Sequence, residues 1–178
     1  MIELLAAIVV ITIAILALMA SYDQAFFSLH AAARKTAAAS LAESQLELFS
    51  AVYSTSTSYS SIGLNSTLLT TANSSDAFYS TDKAALVPSG TDVSNSTCTN
   101  TLAQCKPVQT SVLGSDGKHY RIETFVRDVT QSLSCQGQTT SCGTTTERDV
   151  TVIVRDPNVA HTPKVYTVTA AFDSGPRS

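Results

Sequence analysis

Glu3 is the first residue of this chain able to do chemistry, and its setting is costly. It is the only charged side chain before Asp23, within an apolar run from Leu4 to Ala20 interrupted only by Thr12. A carboxylate in a membrane-length helix costs about 2.5 kcal/mol or more near the bilayer centre, and less toward its edge. Such a group needs a cation. No Lys or Arg precedes Arg34, so the expected cation belongs to something other than this segment. That points to a chain built to meet another chain inside or beside a membrane.

The cysteines come next. Cys98/Cys105 and Cys135/Cys142 are two pairs of equal spacing, each bracketing six residues of polar, turn-forming sequence. Neither is a C-x-x-C, and His30, His119 and His161 lie far from both in sequence, so a zinc site has little support. Local disulfides Cys98–Cys105 and Cys135–Cys142 fit better and imply an oxidising compartment. Four cysteines still allow three connectivities.

The other chemistry-bearing residues have plainer readings. Glu43 and Glu47 lie one helical turn apart, which is above all the spacing of a solvated helix face. Arg34-Lys35 reads as an exposed, solvated pair before it reads as an intersubunit site. Asn65, Asn73 and Asn95 each open an N-x-[ST] sequon and are candidate glycosylation acceptors, in a stretch rich enough in Ser and Thr to produce sequons by composition. Asp128, Asp156 and Asp173 fall near strand ends with no D-x-[DN]-x-[DN]-G loop around them, so turns account for them better than calcium. There is no G-x-S-x-G, H-E-x-x-H or P-loop. The chain is not expected to be an enzyme, and no cofactor or metal is expected. With a net charge of −3 and no basic cluster larger than Arg34-Lys35, nucleic acid is not an expected partner.

What must position these residues is a long helix followed by a sheet. Met1 to Tyr53 contains neither proline nor glycine, and a helix of that length runs about 80 Å. Residues 1–20 are apolar on all sides and long enough to cross a bilayer. Residues 21–53 are amphipathic, with Phe27, Ala31, Ala38, Leu41, Leu48 and Val52 on the expected buried flank. A cleaved signal peptide fits poorly, because its n-region would carry an acid and the apolar run is too long. Residues 54–106 read as a polar connecting loop region with a local disulfide, touching the core through a short helix or strand. Residues 107–178 read as an antiparallel β-sheet head. Pro107–Leu113 and Lys118–Val129 flank Gly114-Ser115-Asp116-Gly117, a hairpin signal, and Glu147–Asp156 and Lys164–Phe172 follow. The expected class is α+β, with a four-stranded meander whose apolar face is covered by Leu41–Val52.

The opening Met1-Ile2-Glu3-Leu4-Leu5-Ala6-Ala7-Ile8-Val9-Val10-Ile11 resembles the start of the type IV pilin superfamily, Phe-Thr-Leu-Ile-Glu-Leu-Leu and a continuing aliphatic run. That superfamily includes bacterial pilins and the pseudopilins of type II secretion. The likeness in sequence covers about the first 50 residues, and beyond them only the architecture agrees. The family glutamate stands fifth in the mature chain and here third, which implies two further residues and a leader ahead of Met1. The family's helix-kinking proline is replaced by Ala20.

The resemblance implies a type IV pilin-like fold and a structural subunit that polymerises into an extracellular pilus. Glu3 would neutralise the N-terminal amine of a neighbouring subunit. Leu4, Leu5, Ile8, Val9, Ile11, Ile15 and Leu16 would pack in the filament core, where Ala6, Ala7, Ala14 and Ala17 permit close helix approach. The implied partners are further copies of the chain in a helical homopolymer, the inner membrane before assembly, prepilin peptidase and the pilus assembly platform. Twitching motility, adhesion and DNA uptake are roles such filaments serve. A minor pilin or a type II secretion pseudopilin is the alternative within the family. A monomeric membrane-anchored extracytoplasmic binding module is the alternative of another class.

Overall fold

The computed structural model describes residues 2–55, 61–132, 144–159 and 161–173. The chain forms two compact units, Met1–Thr36 and Ala37–Ser178. One helix, α1 (Ile2–Thr55), begins in the first and ends in the second.

In the first unit, α1 is a continuous helix without a kinking residue. Three of its hydroxyl side chains are satisfied by the helix itself. Thr12 Oγ1 donates to the Ile8 carbonyl at 2.5 Å, Ser21 Oγ to that of Leu18 at 3.0 Å, and Thr36 Oγ1 to that of Ala32 at 3.0 Å. Back-bonding of this kind lets a hydroxyl sit in an apolar helix without an orphan donor.

The second unit is an α+β head in which α1 packs on a four-stranded antiparallel sheet, as the sequence predicts. The strands are β1 (Val108–Leu113), β2 (His119–Ser132), β3 (Thr144–Arg155) and β4 (Lys164–Asp173), in the order β1-β2-β3-β4. The ladder from Arg121 opposite Arg155 to Ser132 opposite Thr144 is unbroken. The β1–β2 turn closes through Gly114 N–H to the Lys118 carbonyl at 2.8 Å, with Gly117 at φ +75°. Gly114 is required by space, since a Cβ there would stand 2.7 Å from the Tyr120 ring.

Period two divides the sheet residues into two faces. Tyr120, Ile122, Thr124 and Val126 of β2 share a face with Val150, Val152 and Val154 of β3 and with Val168 and Phe172 of β4. The end of α1 covers it. Ala37, Ala38, Ala42, Gln45 and Phe49 are buried, Gln45 Nε2 donates to Thr124 Oγ1 at 3.5 Å, and Tyr53 meets Phe172 edge-on at 5.4 Å between ring centroids. Of the expected flank, Ala38 is buried and Leu41 and Val52 are half-buried, but Leu48 is 36% exposed and Phe27 77%, while Gln45, not expected there, is 3% exposed. Gln45 tolerates burial because its amide is satisfied. It donates to the Ala103 carbonyl at 3.3 Å and accepts from Gln109 Nε2 at 3.1 Å.

The opposite face is covered too, by the segment expected to connect helix and sheet and to touch the core through a short helix or strand. Residues 54–106 contain two helices, α2 (Ser66–Ser75) and α3 (Ala77–Leu86). Asp76 divides them: its N–H closes α2 on the Ala72 carbonyl, and its carboxylate accepts from Tyr79 N–H at 3.1 Å to cap α3. Tyr79 of α3 stacks on Phe125 of β2 at 4.5 Å and donates its hydroxyl to the Thr124 carbonyl at 3.1 Å.

Candidate assembly surface

The N-terminal unit places the predicted site residues on open surface. Leu4, Leu5, Ile8, Val9, Ile11, Ile15 and Leu16 are all exposed, Leu16 to 61%. Glu3 sits in the first helical turn, and among the described residues it makes no ion pair. This helix is long and apolar enough to cross a membrane. The exposed apolar surface does not end where a span of about 20 residues would, because Tyr22, Phe26, Phe27 and Leu29 are exposed as well. Soluble monomers rarely show contiguous apolar patches beyond a few hundred Å². This surface therefore calls for lipid or for other apolar helices.

A second cluster, missed by sequence reasoning, lies between α3 and the sheet. Arg121 pairs with Asp76 at 2.6 Å and with Glu123 at 2.7 Å. Arg155 pairs with Glu123 at 3.0 Å and Asp82 at 2.5 Å, and Lys164 reaches Asp82 at 2.8 Å. The Phe78 ring lies against both guanidiniums, 5.8 Å from Arg121 and 5.3 Å from Arg155. Burial acts to raise the pKa of Asp76, but the hydrogen bonds from Arg121 and Tyr79 N–H outweigh it and hold the carboxyl below its ordinary value. Arg121 is pushed upward in spite of burial by its bonds to Asp76 and Glu123. Burial, with the nearby Glu123 and Asp92 carboxylates, raises the Tyr79 phenol. Three acids meet three cations, so the cluster is matched internally and leaves no free acid or base for catalysis. The alternation of Arg121, Glu123 and Arg127 was the available signal, and on the sequence alone it points to solvent.

The remaining candidates occupy structural positions. Cys98 and Cys105 form a disulfide with Cα atoms 5.5 Å apart, whereas Cys135 and Cys142 lie outside the described residues. Asn65 holds this loop: its Nδ2 donates to the Cys98 carbonyl at 2.6 Å while its Oδ1 caps α2 through Leu68 N–H at 3.0 Å. Asn95 Nδ2 donates to the Ser61 carbonyl at 2.8 Å and its Oδ1 accepts from Thr97 N–H at 2.9 Å. The amide nitrogens that a glycan would need are thus engaged at Asn65 and Asn95, while Asn73 is half-buried near the end of α2. Glu43 and Glu47 are exposed. Asp128 pairs with Arg148 at 2.8 and 3.1 Å, and Asp156 turns back to accept from Asn158 N–H at 2.9 Å. Among the described residues no group of three or more His, Cys, Asp or Glu is placed to hold a metal ion.

Compared with protein-family models, with curated proteins and with solved structures, the chain matches none at a significant level.

Proposed function

We infer that the chain is a structural subunit of a type IV pilus, assembled from an inner-membrane pool into an extracellular filament. The observation that carries this reading is the exposed apolar helix that opens on Ile2-Glu3-Leu4-Leu5 and holds a lone carboxylate in its first turn. A plain anchor gains nothing from Glu3, since a charge only weakens insertion. A polymer gains a register mark, because Glu3 is matched only when a neighbour's cationic amine lies beside it. The apolar side chains from Leu4 to Leu16 then exchange lipid for other helices, with close packing around Ala6, Ala7, Ala14 and Ala17 as the main source of stabilisation. Prepilin peptidase and an assembly platform are the partners this reading requires. A minor pilin or pseudopilin would use the same surface at lower copy number.

The test is Glu3→Ala in the native cell. Filaments should disappear from the sheared fraction while the chain persists in the membrane. Unchanged or improved membrane retention with no loss of any assembly would instead establish a monomeric anchored module.

A further inference from the structure

The head has two open strand edges. β1 and β4 are the outer strands, and among the described residues no backbone–backbone hydrogen bond reaches the outward side of Val108–Leu113 or of Val165–Phe172. Such edges template further strands unless something deters them. From Val165 to Phe172 there is neither a charge nor a proline. Beside β1 lies a groove of about 340 Å³, walled by Leu68 and Ala72 of α2 and by Lys106, Val108 and Thr110.

We propose that these edges are the two halves of one contact between copies: β4 of one head adds antiparallel to β1 of the next. The residues of β4 on the α3 side, Thr169 and Ala171, enter the groove against α2. Topology supports the pairing. In a meander of four strands, a copy displaced along the sheet without being turned over presents its β1 antiparallel to the preceding β4. Every copy then keeps the face covered by Ala37–Thr55 on the same side. Size supports it, because Thr169 and Ala171 are small and exposed. Charge supports it as well. Setting Val108 opposite Ala171 keeps residues of the same face together, and two residues on it sets Lys106 opposite Asp173. The contact is heterologous and does not close on itself, so it extends from copy to copy. It rests on the filament reading for the polarity that all copies share.

The experiment is a double cysteine variant, Val108→Cys with Ala171→Cys, in the full chain in its native cells. Envelope and sheared fractions are oxidised and run without reductant. Directly opposed residues fall within disulfide reach, whereas β1 and β4 of one chain stand three strand spacings apart, about 14 Å, too far to bridge. The double variant should give a ladder of dimers, trimers and higher species that neither single variant gives. Monomers alone, or dimers with no ladder, would overturn the proposal. Should the cysteines disturb the fold, a charge exchange tests the same contact: Lys106→Glu or Asp173→Lys should cut filament yield at least several-fold, and the two together should restore it. Failure of the pair to restore what each removes also overturns the contact. Filaments without a ladder sink the edge contact alone; a ladder without filaments sinks the pilus reading and keeps the contact.

Discussion

Glu123 and Glu3 are both carboxylates, and the chain provides for them differently. Glu123 is fully buried and touches Arg121 at 2.7 Å and Arg155 at 3.0 Å. Glu3, in the N-terminal unit, has no cation among the described residues. The apolar side chains show the same contrast: Phe49 is 1% exposed against the sheet, and Leu16 is 61% exposed. The head carries the complement of each of these groups within itself. The N-terminal unit shows groups of the same kinds without such complements among the described residues.

The contrast can be broken most sharply with two truncations in the full chain held in detergent. Phe49→Ala should destabilise the head by about 3–5 kcal/mol, the cost of losing an aromatic from a packed core. Leu16→Ala should stay within about 0.5 kcal/mol, as an exposed site does, while filament yield falls. Denaturant midpoints of both variants check this, and comparable losses in the two would remove the distinction. Arg155→Met comes next. It leaves Glu123 and Asp82 facing each other without their shared guanidinium, and breaking a buried pair from one side costs about 3–5 kcal/mol. Adding Glu123→Leu should recover part of that loss, because the remaining acid keeps Lys164 as a partner.

Reduction of Cys98–Cys105 is a smaller change. The loop is short, with a sequence separation of 7, and chain entropy assigns such a closure about 2–3 kcal/mol. The loop also presents the Ala103 carbonyl to Gln45 and Gln109, so Cys98→Ser with Cys105→Ser should loosen the seating of α1 on the sheet. Amide exchange at residues 42–49 should speed up with it, and unchanged exchange there would confine the disulfide's influence to its own loop.

Much of this arrangement is legible in the amino-acid sequence. The run without proline or glycine gives α1, the alternation of Tyr120, Ile122 and Val126 gives the α1-facing side of β2, and Asp156-Pro157 ends β3 where expected. The lone acid in an apolar helix marks Glu3 directly. What escapes is decided by partners distant in sequence. Gln45 reads as a surface residue until Ala103 and Gln109 satisfy its amide. Arg121 and Glu123 read as solvent-facing until α3 arrives with Asp76 and Asp82. α3 itself is hidden in a stretch of Ser, Thr and Ala, where the useful signal is the capping carboxylate of Asp76 rather than any apolar stripe.

Asp76 offers the finest test of how the head supplies its own complements. Its folded-state pKa lies below the 3.8 of the free side chain, so the folded chain binds fewer protons than the unfolded chain in that region and stability rises with pH. The contribution of Asp76 is therefore complete above about pH 4 and is lost as pH falls through its lower folded value. Asp76→Asn keeps an oxygen for the Tyr79 N–H but gives up the charge that Arg121 meets at 2.6 Å. At neutral pH the variant should melt lower, by the equivalent of about 1 kcal/mol, the loss of one partly exposed ion pair. Other carboxylates titrate in the same range, so the informative quantity is the difference between parent and variant along a series from about pH 6 to about pH 2. That difference should be flat at first and shrink below about pH 4, as Asp76 is protonated and the parent comes to resemble the variant. A difference that stays constant to the acid end would show that Asp76 acts by shape alone, and would remove the ion pair from the complements the head carries within itself.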